Sequence, residues 1–518
     1  MDGSGPTEAH SAIVEQSYKR GPGDPGWDLD PRDDHGWERL ASMGRMMVDD
    51  MIAHLRGISD GPAWSPMSAD TRNALAAPLE TMAPGVDAAY ADFRQLILPH
   101  SSGNTHPSFM GWAQGGGTIE GMLAEMLAGG LNANVGGRDH AAIDVERQVV
   151  AWTAKLLGMP LETSGILLTG TSMANLCAIL VARTALFGAA SRNDGLAGRT
   201  AVAYTSEAAH GCVGRAMDFA GFGRAALRLI PCTPDGRMDP AALAAAMDQD
   251  AAAGLPALAV VGTSGTVGTG ACDDLAAIGT IARAHKTWFH VDAAIGGVAA
   301  AWPGTAGLLA GIGQADSIAT DLHKWGQAPY DCGCLLVRNP DLHRATFSHD
   351  GGYLARGKRG IAIGETWPCD LGPDLSRRFR ALGAWFTIRT HGVAGMARTI
   401  ETGTTLARRM EARAHAEPEL EVMAPAGLCI ACFRYAAAPP ADLDALNMAI
   451  VEDLQQSGEA VPSLVRIGGR VAIRTAIMNH RTTAAHVDAV IEAVLRQGRA
   501  RCGHPIDGPA ATVVASRE

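Results

Sequence analysis

The sequence predicts an α/β chain: a large domain on a mostly parallel sheet, then a small α+β domain toward the C-terminal end. Three observations carry this. From about residue 105 to 345, short apolar runs alternate with longer amphipathic ones. From about 376 a long helical stretch leads into a region where helices near 393–416 and 440–456 alternate with strands near 427–434 and 471–475. Finally, 518 residues with 47% apolar content can bury a large core and exceed one small domain. The expected division is 1–90, 91–385 and 386–518.

Residues 1–34 are polar and rich in Gly, Pro and Asp, which predicts a loose arm. Trp37, Leu40, Met43, Met47, Met51 and Leu55 then recur at helical spacing over 35–57, as a core stripe or a dimer contact. Ser68-Ala69-Asp70 resembles the cap of a second helix. Strand-like runs follow at 165–169, 201–204, 258–262, 287–291, 317–320 and 334–337, with helix-like stretches at 172–187, 239–248 and 273–284. Ligands of such sheets sit beyond the carboxyl ends of the strands, so functional residues should follow the strand runs. Residues 354–373 hold four Gly and two Pro without a clear period, which predicts a loop with a lid function. The last dozen residues read as a tail.

Composition narrows the function classes. The net charge of −11 is spread without a basic block, so no nucleic-acid partner is expected. No apolar run is long enough to span a bilayer, and MDGSGPTEAH holds no basic segment followed by an apolar one, so neither membrane nor signal peptide is expected. The ten cysteines are scattered without a CxxC pair and read as reduced thiols of a cytoplasmic protein. No HExxH or paired Cys/His spacing suggests a metal.

Of the 43 basic residues only five are lysines: Lys19, Lys155, Lys286, Lys324 and Lys358. Lys324 follows a strand and sits between His323 and Trp325, where desolvation makes an amine nucleophilic. The run WFHVDAA places His290 and Asp292 on one strand face, with Asp292 at the carboxyl end. A carboxylate there can hold a ring nitrogen protonated and turn the ring into an electron sink, and Ala294 leaves room for a flat ring. It equally suits a turn or cap. In LLTGTSMANLCAILVAR, Thr171 and Ser172 open a helix after a strand, an anion site or an ordinary cap. His210 begins a helix after another strand, where an imidazole can cover a ring and act as acid or base, or simply pack. Thr263 ends a strand before a Gly/Thr loop.

In their order and spacing, HPSF, TGTSMANLCAILVAR, TSEAAHGCV, GTSGTVGTGACDDL, WFHVDAAIGG, ADSIATDLHKW and LSRRFRALGAW resemble the group II amino-acid decarboxylases that depend on pyridoxal 5'-phosphate. Aromatic L-amino-acid decarboxylase is the type member; glutamate and cysteine-sulfinate decarboxylases belong to the group. The resemblance runs from about 35 to 485. It implies the type I, aspartate-aminotransferase-like fold. It also implies a homodimer with the site at the interface and the N-terminal arm wrapped around the partner. Lys324 matches the Schiff-base lysine, Asp292 the partner of the ring nitrogen, and His210 the histidine stacked on the ring. Ala294 matches the residue beside the ring, and Thr171 and Ser172 the phosphate turn. His323 matches the neighbour near the phosphate, and Thr263 a threonine near the cofactor and the substrate carboxylate. The implied substrate is an L-amino acid, an aromatic one foremost, and the implied products are an amine and carbon dioxide.

The chain departs from the family in places. The family's mobile-loop tyrosine, held to protonate the α-carbon after carbon dioxide leaves, has no counterpart between 354 and 379. Tyr353 stands only at the loop's beginning, and Trp367 is the one aromatic residue inside it. Family members without this tyrosine can divert the reaction to oxygen and form an aldehyde. That leaves an aldehyde synthase, and a silent binding protein, as alternatives. His210, or else Tyr353, is the expected proton donor. Ser376 stands where aromatic decarboxylases carry Gly or Ser. Asp321 stands where they often carry Asn, either bonding backbone groups or favouring a cationic side chain.

Overall fold

The computed structural model describes residues 29–31, 33–79, 84–348, 356–437 and 443–503. Residues 1–28 of the expected arm over 1–34, the expected tail and Tyr353 lie outside them. The expected first helix is Asp34–Arg56, and the Asp33 carboxylate caps it by accepting from the Gly36 amide at 2.8 Å. Ser68 caps the helix Ala69–Leu75 by accepting from the Thr71 amide at 3.0 Å.

The main sheet has seven strands in the order β1-β7-β6-β5-β4-β2-β3. They are β1 (Ser164–Leu168), β2 (Val202–Ser206), β3 (Leu227–Ile230), β4 (Ala257–Thr263), β5 (Trp288–Asp292), β6 (Ser317–Asp321) and β7 (Gly333–Val337). Only β7 is antiparallel to its neighbours; the other six strands run one way. Helices cover both faces, which is why β2, β6 and β7 are buried throughout and show no alternation of buried and exposed residues. β3 was not expected. It is a four-residue edge strand interrupted by Arg228, too short and too polar to stand out.

After the helical stretch Ala381–Ala416, bent at Gly392, a second sheet forms in the order β10-β11-β9-β8. Its strands are β8 (Leu420–Gly427), β9 (Ile430–Tyr435), β10 (Ser463–Ile467) and β11 (Arg470–Ala476), all antiparallel. With the helices Leu443–Gln456 and Ala484–Arg501 it forms an apolar cluster around Phe433, Ile473 and Ile491. The parallel sheet with its smaller antiparallel companion is the type I fold. Among the described residues, no helix is long and apolar enough to cross a membrane.

Residues 356–373, the described part of the expected lid, are held against the body. Arg356 bonds Asp370 at 2.5 Å, the Cys369 amide donates to the Gly136 carbonyl at 2.9 Å, and Trp367 is buried against Gly137.

Two buried histidines tie this fold to pH. His290 in β5 and His343 in the helix Pro340–Phe347 are pushed by burial from the ordinary 6.5 down to about 4. As pH falls, the unfolded chain binds their protons first. Their contribution to stability is therefore complete above about 6.5 and lost as pH falls toward about 4. The urea midpoint should drop across this window, and His343→Gln should flatten the drop.

Candidate active site

Five strand ends meet in one cavity of about 820 Å³. The turn after β1 brings Gly170, Thr171 and Ser172; the segment after β2 brings His210. β4 ends on Thr263, β5 on Asp292, and the turn after β6 carries His323 and Lys324. All eight candidates from the sequence, Ala294 included, line this cavity. The strands' common direction explains the convergence, because their carboxyl ends open on the same edge.

Close backbone packing fixes the Lys324 turn. A Cβ at Gly115 would lie 2.2 Å from the Lys324 carbonyl oxygen, and one at Gly333 2.4 Å from Gly170 Cα. The Lys324 ammonium pairs with Asp321 Oδ2 at 2.9 Å, while Oδ1 accepts from the Thr171 amide at 2.8 Å. So Asp321 takes the first of the two roles left open for it, bonding backbone, and the cation it holds is the protein's own Lys324. Burial opposes its ionisation, but Lys324 and His323 outweigh burial and keep its carboxyl below the ordinary range.

His323 Nδ1 accepts from the Cys332 amide at 2.9 Å, and its ring lies 4.2 Å from that of Tyr330. His210 Nδ1 accepts from the Cys212 amide at 3.2 Å, which leaves Nε2 to carry the proton of a neutral ring. Asp292 is buried. Its Oδ1 accepts from the Ala294 amide at 3.1 Å, and its Oδ2 from Asn175 Nδ2 at 2.9 Å and from the Cys212 thiol at 3.8 Å. Burial first, and Asp292 second, push that thiol up to about 12, so it stays a donor.

Several residues in or behind the cavity were not singled out from the sequence. Asn175 sits inside a quoted motif, but its role depends on a strand 115 positions away. Arg474 reaches the cavity from β11, bonding the Trp112 carbonyl at 2.9 Å and Ser463 at 3.1 Å through Nη1. Its Nε and Nη2 are buried without a partner. An arginine inside the apolar strand run 471–475 was the available signal. Among the described residues Tyr330 is the tyrosine that lines the cavity, whereas residues 356–373 line none of it.

The residues fit pyridoxal phosphate. Thr171 Oγ1 and Thr263 Oγ1 are buried polar atoms without partners, facing space large enough for the ring. An amine and a buried carboxylate border the same space, as an aldehyde and a ring nitrogen require.

Fold and cavity together define a type I pyridoxal phosphate enzyme. Residues 72–436 match the pyridoxal-dependent decarboxylase conserved domain, and the chain belongs to this family of amino-acid decarboxylases. It is 30% identical over 454 residues to the aromatic-L-amino-acid decarboxylase of Bacillus atrophaeus, covering 86% of this chain and 92% of the relative. It is 28% identical over 470 residues to the phenylacetaldehyde synthase of Arabidopsis thaliana, covering 87% and 94%. The crystal structure of Oryza sativa TDC with PLP and tryptamine superposes with a TM-score of 0.83 at 26% identity, over 92% of this chain and all of that one.

Proposed function

We propose that the chain removes the carboxyl group of an aromatic L-amino acid and releases the amine. One observation carries the reading: Lys324, Asp292, His210, Thr263 and the Thr171–Ser172 turn border a single cavity at the strand ends. Bound pyridoxal phosphate supplies an electron-deficient ring that takes up the charge left on the α-carbon when carbon dioxide departs. Lys324 Nζ would hold the cofactor covalently. Asp292 would face its ring nitrogen, and Ala294 its face. Thr171, Ser172 and His323 would take the phosphate, with Thr263 near the cofactor and the substrate carboxylate. The unpaired nitrogens of Arg474 add a fixed positive charge for that carboxylate.

His210 would deliver the proton to the α-carbon from Nε2, since Nδ1 is engaged by the Cys212 amide. His210→Gln should slow turnover by roughly 10²–10⁴-fold while the cofactor stays bound, as loss of a general acid implies. Unchanged turnover would remove His210 from this role.

An aromatic substrate is supported by a second cavity of about 410 Å³ walled by Trp64, Phe109 and Trp112. It shares Trp112, Gln114 and Gln455 with the first, so aromatic rings stand directly beside the candidate site. Ser376 agrees. A homodimer is supported by Met126, Leu127 and Leu131, exposed on the helix Ile119–Leu131. Light scattering would measure it.

The second reading is a decarboxylating aldehyde synthase, favoured by the absence of tyrosine between 354 and 379. A screen of L-amino acids scoring carbon dioxide, amine, ammonia and peroxide separates the two. Carbon dioxide and amine in equal amounts, without peroxide, is the expected result. Stoichiometric peroxide and ammonia would establish the synthase. No carbon dioxide from any amino acid would leave only a binding role.

A further inference from the structure

Behind Asp292 lies a continuous line of buried polar groups that the reaction itself does not use. The Trp288 indole Nε1 donates to Ser317 Oγ at 2.8 Å. Ser317 Oγ lies 2.8 Å from His290 Nδ1, and His290 Nε2 lies 2.8 Å from Asn175 Oδ1. Asn175 Nδ2 donates to Asp292 Oδ2 at 2.9 Å. Asn175, His290 and Ser317 are each at most 1% exposed. The line spans two layers: His290 and Ser317 are register partners across β5 and β6, and Asn175 comes from the helix Thr171–Phe187 that covers them.

Proton bookkeeping gives the line a direction. An indole N–H only donates, so Ser317 Oγ accepts from Trp288 and can give its own proton to His290 Nδ1. Burial keeps His290 neutral, so its single N–H is then on Nε2 and donates to Asn175 Oδ1. The amide must turn its NH₂ group to Asp292. Reversed, His290 Nδ1–H would donate to the Ser317 backbone carbonyl, 3.1 Å away, and Asn175 would offer its oxygen to Asp292. Two acceptors would then face each other unless Asp292 carried a proton. The forward direction uses every donor and suits a charged Asp292; the reverse suits a neutral one.

We propose that Asn175, oriented by His290 and Ser317, is a positioning residue that holds Asp292 as an anion. It would thereby keep the proton of the Asp292–cofactor contact on the ring nitrogen rather than on the carboxylate. The argument is electrostatic. In a buried site each donor to a carboxylate lowers its proton affinity, and the NH₂ of Asn175 is the shortest side-chain donor that Asp292 has. The effect should weaken along the line, because each further residue acts only through the one before it. The inference rests on Asp292 facing the ring nitrogen, as proposed above.

The test is nitrogen-15 NMR of the holoenzyme loaded with cofactor labelled at the ring nitrogen, at fixed neutral pH, with the cofactor dissociation constant and thermal midpoint of each variant. The native protein should give the protonated-ring shift. Asn175→Leu should move it toward the unprotonated value and weaken cofactor binding about tenfold. His290→Phe should move it less, and Ser317→Ala least. If Asn175→Leu does not fold, the other two variants decide. A protonated-ring signal in every folded line variant, whatever its thermal midpoint, overturns the proposal. So does a shift that is not graded along the line. Asp292→Ala separates the two levels: if it too keeps the protonated-ring signal, the placement of Asp292 itself falls.

Discussion

Lys324→Ala is expected to yield a folded protein that carries no covalently bound cofactor. Among the described residues Lys324 is the one lysine lining the cavity, and its amine is held by a buried carboxylate. Lys358, in the segment packed against 134–140, lines no part of the cavity, and neither do Lys155 and Lys286. Among the described residues no other lysine borders the cavity to bond the aldehyde. The variant should lose the yellow absorbance of the bound cofactor. Turnover should fall by roughly 10³-fold or more, since loss of acid–base function alone costs about 10²–10⁴-fold. The Ala change also strands Asp321 in the interior without its cation, which costs stability. Lys324→Gln, which keeps a donor within reach of Asp321, separates that loss from the chemistry. Borohydride reduction of the native holoenzyme followed by peptide mass spectrometry should find the label on Lys324. Label on Lys286 or Lys358 would overturn the assignment.

The legible parts of this molecule are those where one physical requirement repeats. The parallel strands are short apolar runs because both sheet faces are covered, and all six runs read from the sequence are strands within one or two residues. The candidate residues were legible because they directly follow those runs. β8 and β10 were missed for the opposite reason. They carry Glu421 and Arg466 on faces that meet other charges, with Arg470 bonding Glu421 at 2.8 Å and Arg466 bonding Asp444 at 3.0 Å. Asn175 was invisible because an amide inside a helix has no purpose until the neighbouring strand supplies His290. The segment 356–373 has the glycine content of a mobile loop. Yet Trp367 and the Arg356–Asp370 pair hold it in a seat away from the cavity, contacts that glycine counting does not register.

Asp292→Asn is expected to keep the fold and lose most of the activity. Asparagine matches aspartate in size, and its single amide oxygen can still accept from one of the two donors, the Ala294 amide at Oδ1 or Asn175 Nδ2 at Oδ2. The charge is what changes. An anion facing the ring nitrogen holds a proton there and deepens the electron sink; a neutral amide does not. Removal of one preorganised electrostatic partner typically costs on the order of 10²–10³-fold in rate, about 3–4 kcal/mol of transition-state stabilisation. The loss should fall on kcat rather than on KM, because the charge matters most after the carboxylate has left. Asp292→Glu should not rescue it, since the longer side chain would carry its carboxylate out of register with the Asn175 and Ala294 donors. Near-native kcat in Asp292→Asn would show that the ring nitrogen needs no proton here. A purely raised KM would assign Asp292 to binding alone.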